Sequence, residues 1–447
     1  MQAREEAARG ARRERTIRLA VVTSVASKLG TVLLQLLAMP LAVRVLGREE
    51  FGLYATVTST LAVVHALEIG VGPALAHGLS ETSASGDVAK RRRLASTAFM
   101  VVFGIAIIAF LGVSLVLANV PFTTLYGERF AGMESSLRPA LWLGVALFAL
   151  IFLLNLTDRM REGLLEVAYT NSWGAAGNVI AGLVVGIGIW HFPQVWFLIL
   201  AVFGTQCLMK VGNLIMLLRK HPELLPRPGL FDRGIAKSLL ADGSAYSIAA
   251  MLVGIVEYHA AVWMVGKTYG PAQSALYGVF VQLTVMQLGF VIMLTTPTWP
   301  AVAEALVRND LAWARKSAKR LYLVGGLIAC AAFGGMAVLG PWAMEIWLGE
   351  SFRGLGHDLL ACYGAYAAMH IWRHIGHALM LGTGQVQRMA RIQTLEMLVM
   401  LPVAWYTVHT GGIGMMLAAM AIIIALFTGW ALPRAVWQRL RVASASL

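Results

Sequence analysis

The sequence predicts an all-α integral membrane protein of about twelve transmembrane helices, arranged as two six-helix bundles. Three observations carry this. The chain is apolar and divides into segments of membrane length. Its basic residues alternate sides with each expected crossing. Its motifs recur at about half the chain length. Of 447 residues, 58% are hydrophobic and only 13% charged, with a mean hydropathy of +0.70. A soluble protein would carry about a quarter charged residues. A spanning helix needs about 20 apolar residues, so the length accommodates roughly a dozen spans and leaves little for a soluble domain. The net charge of +13 would point to nucleic acid in a soluble chain. Here the Lys and Arg residues are expected in cytoplasmic loops facing anionic lipid, and no nucleic-acid partner is expected. The three cysteines, Cys207, Cys330 and Cys362, lie in apolar segments. Their spacing matches neither a metal site nor a disulfide framework. The apolar segment after the basic N-terminus is too long for a signal peptide and reads as a retained first helix.

Apolar segments place the spans near 17–45, 51–79, 94–120, 137–156, 171–191, 195–218, 238–265, 275–299, 321–347, 359–381, 392–409 and 412–437. With the N-terminus inside, the inner segments collect 27 of the 36 basic residues and the outer segments six. The inner clusters include the six arginines of the N-terminal arm, Lys90 to Arg93, and Arg219 to Lys237. A missed span would invert every later loop and scramble this alternation, so both termini are expected in the cytoplasm.

The repeat follows the same frame. Leu53-Tyr54 recurs as Leu276-Tyr277, and Gly86-Asp87 before a basic cluster recurs as Asn309-Asp310. Pro121 and the run Gly127-Glu128-Arg129-Phe130 recur as Pro341 and Gly349-Glu350-Ser351-Phe352, and Pro73 answers Pro297. Each expected half has an even number of helices, so both halves enter the membrane in the same sense. That is a parallel repeat about an axis along the membrane normal. The expected organisation is an N-terminal bundle over 1–218, a linker over 219–237 and a C-terminal bundle over 238–447.

Ionisable groups inside a bilayer are costly and default to functional candidates. In the first span Ser24, Lys28, Thr31 and Gln35 share one helical face. In the tenth, Tyr363, Tyr366, His370, Arg373, His374 and His377 form a stripe four turns long. Both stripes are expected to line an aqueous, cationic cavity suited to an anion. The plainer alternatives are snorkelling of Lys28 or Arg373 and histidines acting as interhelical hydrogen-bond partners. His65 with Glu68, and Glu257 with His259, are candidates for coupling to a proton or Na⁺. Their alternative role is to neutralise the basic stripes. Asp242 and Glu396 fall near expected span ends and read as interfacial. Catalytic motifs are absent, so the chain is read as a transporter needing no cofactor beyond a coupling ion. No metal site is expected.

The run SKLGTVLLQLLAMPLAVRVLGREEFGLYA, carrying Lys28, Gln35, Pro40, Arg44, Leu46-Gly47 and Phe51 to Tyr54, resembles the N-terminal signature of Wzx-type polysaccharide flippases. These belong to the multidrug/oligosaccharidyl-lipid/polysaccharide (MOP) exporter superfamily. The following SASGDVAKRRRLASTAF is similar to that family's first cytoplasmic loop. The resemblance implies two bundles forming a V around a cationic lumen. It also implies a substrate, an undecaprenyl-pyrophosphate-linked oligosaccharide moved between leaflets of the bacterial inner membrane by alternating access. Implied partners are membrane lipids, a polysaccharide polymerase and a chain-length regulator, in an O-antigen or exopolysaccharide pathway. Lys28 is the one lumen cation carried over by position. The rival readings are a cation-coupled multidrug exporter of the same superfamily and a membrane-embedded glycan polymerase or transferase.

Overall fold

A computed structural model describes residues 2–65, 71–241 and 251–442. Among the described residues the regular elements are all helical. In chain order, α1 is Gln2–His65, α2 Val71–Ser85, α3 Val88–Asn119, α4 Phe122–Tyr126, α5 Glu134–Gly163 and α6 Val167–Gly188. Then α7, Val195–Ile199, continues through a π turn into α8, Thr205–Lys220, and α9 spans Arg233–Ala241. The later helices are α10 Ala261–Tyr269, α11 Pro271–Val307, α12 Leu311–Leu348, α13 His357–Gly382, α14 Val386–Ile424 and α15 Trp430–Val442. Gly47 and Gly412 break α1 and α14 into two arms each. Every expected span is met by helix, apart from 66–70 and 242–250, which lie outside the described residues.

Seven helical stretches among the described residues are long and apolar enough to cross a membrane by length and composition. The α6 and α13 spans fall outside that group: α6 carries Thr170, Asn171, Ser172 and Asn178, and α13 carries the polar stripe. Large apolar side chains face outward on α3 (Ile108, Leu111, Leu115) and α12 (Leu323, Leu327, Val338). An apolar outer surface is what lipid contact requires. The chain is a multi-pass membrane protein.

The half-length repeat extends to backbone geometry. Gly47 and Gly270 carry φ of 82° and 90° before the second and eighth spans, and Gly127 and Gly349 carry 95° and 87°. These left-handed angles suit glycine because a Cβ would clash with the backbone. Asp87 and Asp310 each cap the following helix, accepting from Lys90 N at 2.8 Å and Trp313 N at 3.0 Å. Leu165 and Gly384 both turn left-handed after α5 and α13. There Glu166 N and Gln385 N bond back to the Arg161 and Met380 carbonyls, at 2.7 and 2.9 Å. A duplicated chain keeps its breaks where backbone chemistry dictates them, even when the side chains have diverged.

The chain divides into two compact units: Met1–Leu46 with Thr60–Ser244, and Gly47–Ser59 with Ala245–Leu447. The first part of the second span thus belongs with the C-terminal unit. Within that unit it packs closely on α11. A Cβ on Gly52 would stand 1.7 Å from the Pro271 carbonyl oxygen. Thr56 and Ser274 hydroxyls meet at 2.7 Å, and Arg48 Nε donates to the Ala272 carbonyl at 2.9 Å. Gly52→Ala must push backbone apart. It is expected to lower the detergent unfolding midpoint, costing at least the roughly 1–3 kcal/mol typical of overpacking. Gly104→Ala, where the new methyl meets open space, should leave the midpoint unchanged. Equal midpoints for the two variants would refute this packing.

In the first unit, α2, α3, α5 and α8 share a core that includes Leu79, Leu94, Phe152 and Leu217, and it takes in Leu224 and Leu239 of the following segment. Arg161, read from sequence as a loop cation, is fully buried at the end of α5. It donates to Asn213 Oδ1 and Glu166 Oε2, both at 2.6 Å, and lies 4.7 Å over the Tyr169 ring. Lys220 and His221 also reach Glu166. Burial raises the Glu166 pKa, but its Lys220 and His221 partners bring it below the ordinary 4.5. A depressed carboxylate contributes stability above its unfolded pKa and loses it as pH falls through the folded value. Wild type should therefore exceed Glu166→Gln in unfolding midpoint by a constant margin at neutral pH. That margin should shrink only below about pH 4.5. A margin independent of pH would show that the charge contributes nothing.

Candidate functional site

The tenth-span stripe occupies α13, whose neighbours in the second unit are α11, α12, α14 and α15. Small residues let those neighbours approach. A Cβ on Gly364 would meet the Phe333 carbonyl oxygen at 3.0 Å, and one on Gly376 would meet Leu432 at 3.0 Å. The stripe is accordingly interior to this unit: Tyr363, Tyr366, His370 and Arg373 are all 4% exposed or less.

Arg373 is the centre of a buried charge network. Its Nη2 donates to Glu257 Oε2 at 2.7 Å, and its Nη1 donates to Glu257 Oε1. Nη1 also donates to Glu396 Oε1 at 2.8 Å. Glu257 Oε2 additionally accepts from Tyr366 Oη at 3.0 Å and lies 3.0 Å from His370 Nε2. That same imidazole nitrogen meets Tyr258 Oη at 2.9 Å. Glu396 Oε2 accepts from the Thr428 backbone N at 3.0 Å and from its hydroxyl. Two of the anchoring segments are π turns. Glu257 lies in Gly254–Ala260 and Thr428 in Ala425–Gly429. Such turns re-aim side chains within a helix and concentrate at functional sites. Next to Arg373 on α13, His374 Nε2 meets Thr295 Oγ1 at 3.1 Å. His377 Nε2 is buried without a hydrogen-bond partner among the described residues.

Two expectations need correction. Arg373 was expected to offer its charge to a cavity, but its guanidinium is held by two carboxylates. Glu257 is grouped in sequence with His259, but two residues apart on a helix they cannot both face inward equally well, and the partners of Glu257 are Arg373, Tyr366 and His370. Glu396 was expected at an interface, and it is fully buried. The error at Glu396 was one of span boundary. Helix α14 begins at Val386 rather than at 392, so Glu396 sits nearly three turns inside it. Tyr258 and Thr428 carried no signal in the sequence, because a single hydroxyl in a span is ordinary. His259 shares the π turn with Glu257, its ring 6.4 Å from that of Tyr258.

Lys28, Gln35 and His65 lie on α1, and their side chains are outside the described residues, as is Glu68 altogether. Thr31 of the same first-span stripe is described. Its hydroxyl donates to the Ser27 carbonyl at 3.0 Å and accepts from Asn178 Nδ2 of α6 at 2.7 Å. Among the described site residues, Glu257, His370 and Arg373 come together in one cluster of the second unit. Glu396 completes it.

The profile of the polysaccharide biosynthesis protein family matches residues 20–306. No curated protein matches the chain by sequence. Among solved structures, it is similar to a multidrug resistance MATE family transporter of the MOP superfamily in an inward-facing conformation. The TM-score is 0.75 at 14% identity, over 95% of this chain and 98% of that one. It is similar also to a MOP superfamily transporter from Pyrococcus furiosus, described as having a binding pocket of reversed polarity (TM-score 0.69, 13% identity, 97% of each chain). A third is the eukaryotic MATE transporter AtDTX14, with TM-score 0.67 at 13% identity over 97% of this chain and 98% of that one. Identities this low establish the fold alone. The family profile spans well over half the sequence, and on that ground the chain belongs to the polysaccharide biosynthesis protein family, built on the MOP transporter fold.

Proposed function

We propose that this protein is a flippase that moves an undecaprenyl-pyrophosphate-linked oligosaccharide from the cytoplasmic to the periplasmic leaflet of the bacterial inner membrane, both termini being cytoplasmic. The observation that carries the reading is a polysaccharide-family profile matched on a transporter fold. Glycan assembly builds its repeat units on a lipid carrier inside the cell, so a membrane transporter of that family has a lipid-linked glycan as its natural cargo. Lys28 and Gln35 remain candidates to contact the anionic headgroup. A polymerase and a chain-length regulator would take up the product.

The buried network suits a coupling role, and its charge count favours a proton. Glu257 and Glu396 together carry two negative charges and Arg373 one positive. One negative charge is left in a site without water-exposed groups, where an unbalanced charge costs several kcal/mol. A proton on Glu396 or His370 cancels it. His65, Glu68 and His259 remain candidates for coupling to a proton or Na⁺.

The MATE likenesses favour a second reading, cation-coupled drug export. The two separate in one strain. A host lacking its own flippase and expressing this chain should stop accumulating lipid-linked repeat units and regain surface polysaccharide, with unchanged drug sensitivity. Increased drug resistance without restored polysaccharide would overturn the flippase reading.

A further inference from the structure

The segment after α8 is fixed to the first unit and carries its charge outward. The Arg227 backbone N donates to Ser96 Oγ at 3.1 Å, and the Asp232 backbone N donates to Thr97 Oγ1 at 3.1 Å. Leu224 and Leu239 are buried in the unit's core. Ser96 and Thr97 lie one helical turn beyond Arg92 and Arg93, on the same faces of α3. The backbone at Arg227 and Asp232 therefore lies against the turn of α3 that follows those two arginines. Arg92, Arg93, Arg227, Arg233 and Lys237 are all exposed.

The acids of this region are occupied elsewhere. Glu223 pairs with Arg91 at 3.2 Å, and Glu81 with Lys90 at 3.2 Å. Asp232 caps α9 through the Gly234 and Ile235 backbone N at 2.8 and 3.0 Å. None of the five exposed cations has an acidic partner among the described residues. Large apolar side chains interleave with them: Leu225, Phe231 and Leu240 are 49%, 44% and 48% exposed. On α9, Arg233, Lys237 and Leu240 form one outward stripe, while Ala236 and Leu239 face the core.

We propose that this face docks anionic phospholipid headgroups of the cytoplasmic leaflet, with Leu225, Phe231 and Leu240 reaching the acyl boundary. A soluble anion would use the cations but leave the three apolar side chains in water. A leaflet uses both, since it places phosphates and hydrocarbon at adjacent depths. Arg92 and Arg93 immediately precede the first apolar turn of α3, which sets them at headgroup level. From the functional reading this takes only the membrane orientation, and its test involves no transport.

The probe is an environment-sensitive fluorophore on Gly229→Cys, an exposed position with open space around it, in full-length protein whose three native cysteines are replaced. The protein is reconstituted in phosphatidylcholine vesicles with and without phosphatidylglycerol. Phosphatidylglycerol should shift the emission to the blue, and high salt should reverse the shift by screening. Each cation near an anionic leaflet is worth about a fivefold preference. The triple variant Arg227→Gln, Arg233→Gln, Lys237→Gln should therefore lose the response, while matching the parent in pure phosphatidylcholine. Phe231→Ser should weaken it. A probe indifferent to phosphatidylglycerol, or a triple variant that still responds, overturns the proposal. So does an equal shift from a trace of polyprenyl pyrophosphate in phosphatidylcholine, which would make the face a substrate-loading surface.

Discussion

Arg373→Ala should be among the most damaging single substitutions in the chain. It leaves Glu257 and Glu396 facing each other in a buried site with no compensating charge. Breaking a buried ion pair from one side costs about 3–5 kcal/mol, read as a large fall in the detergent unfolding midpoint and in membrane yield. Arg373→Lys should recover part of that loss. It keeps the charge, but a lysine cannot fork across both Glu257 oxygens and also reach Glu396. The triple change Arg373→Met, Glu257→Gln, Glu396→Gln removes all the charges together and should be far more stable than Arg373→Ala. Transport should stay lost in the triple variant if the charges serve coupling. An Arg373→Ala protein with wild-type stability would mean the ion pairs do not hold in the membrane.

The difference between what could and could not be read from the sequence lies in the length scale of each signal. Helical spans, their number and the half-length repeat are written in long runs and in glycine and aspartate positions. Backbone breaks at Gly47, Gly127, Gly270 and Gly349 fall where the motifs align. The polar stripe of α13 was legible because six residues at helical spacing do not arise on a lipid face. Its direction was not legible. Periodicity shows that a stripe faces away from lipid, but a cavity and a neighbouring helix are equally valid destinations. Glu257 and Glu396 decide it, and they are 116 and 23 residues from Arg373 in sequence. The π turns that aim Glu257 and Thr428 leave no pattern, since one extra residue in a helical turn has the same composition as its neighbours. The division of the second span at Ser59 and Thr60 was hidden for a similar reason. It depends on the close approach of Gly52 to Pro271 across the fold, and a glycine in an apolar helix does not name its partner.

Glu396→Gln separates the structural role of the network from a coupling role. In the wild type, two carboxylates share one guanidinium, and Glu396 is the less committed of the two. It meets Arg373 through a single oxygen and Thr428 through the other. Glu257 is engaged by both guanidinium nitrogens, Tyr366 and His370. Glutamine keeps the shape and can still accept from Arg373 Nη1 through its carbonyl oxygen, but its amide nitrogen then faces the Thr428 backbone N–H and that hydrogen bond is lost. The remaining Arg373 and Glu257 charges cancel, so the site is neutral without a proton. The gain in neutrality offsets the unsatisfied Thr428 donor, so stability should stay within about 1–3 kcal/mol of the wild type. If the odd proton drives the transport cycle, flipping in reconstituted vesicles should lose its dependence on an imposed pH gradient, with expression and fold intact. His370→Gln should change the pH profile rather than abolish it, since Glu396 can still take the proton. Glu257→Gln should be worse in both respects, because it takes away the guanidinium's forked partner. A Glu396→Gln protein that responds to the pH gradient as the wild type does would remove the coupling role and leave the network as a purely structural clamp between helices.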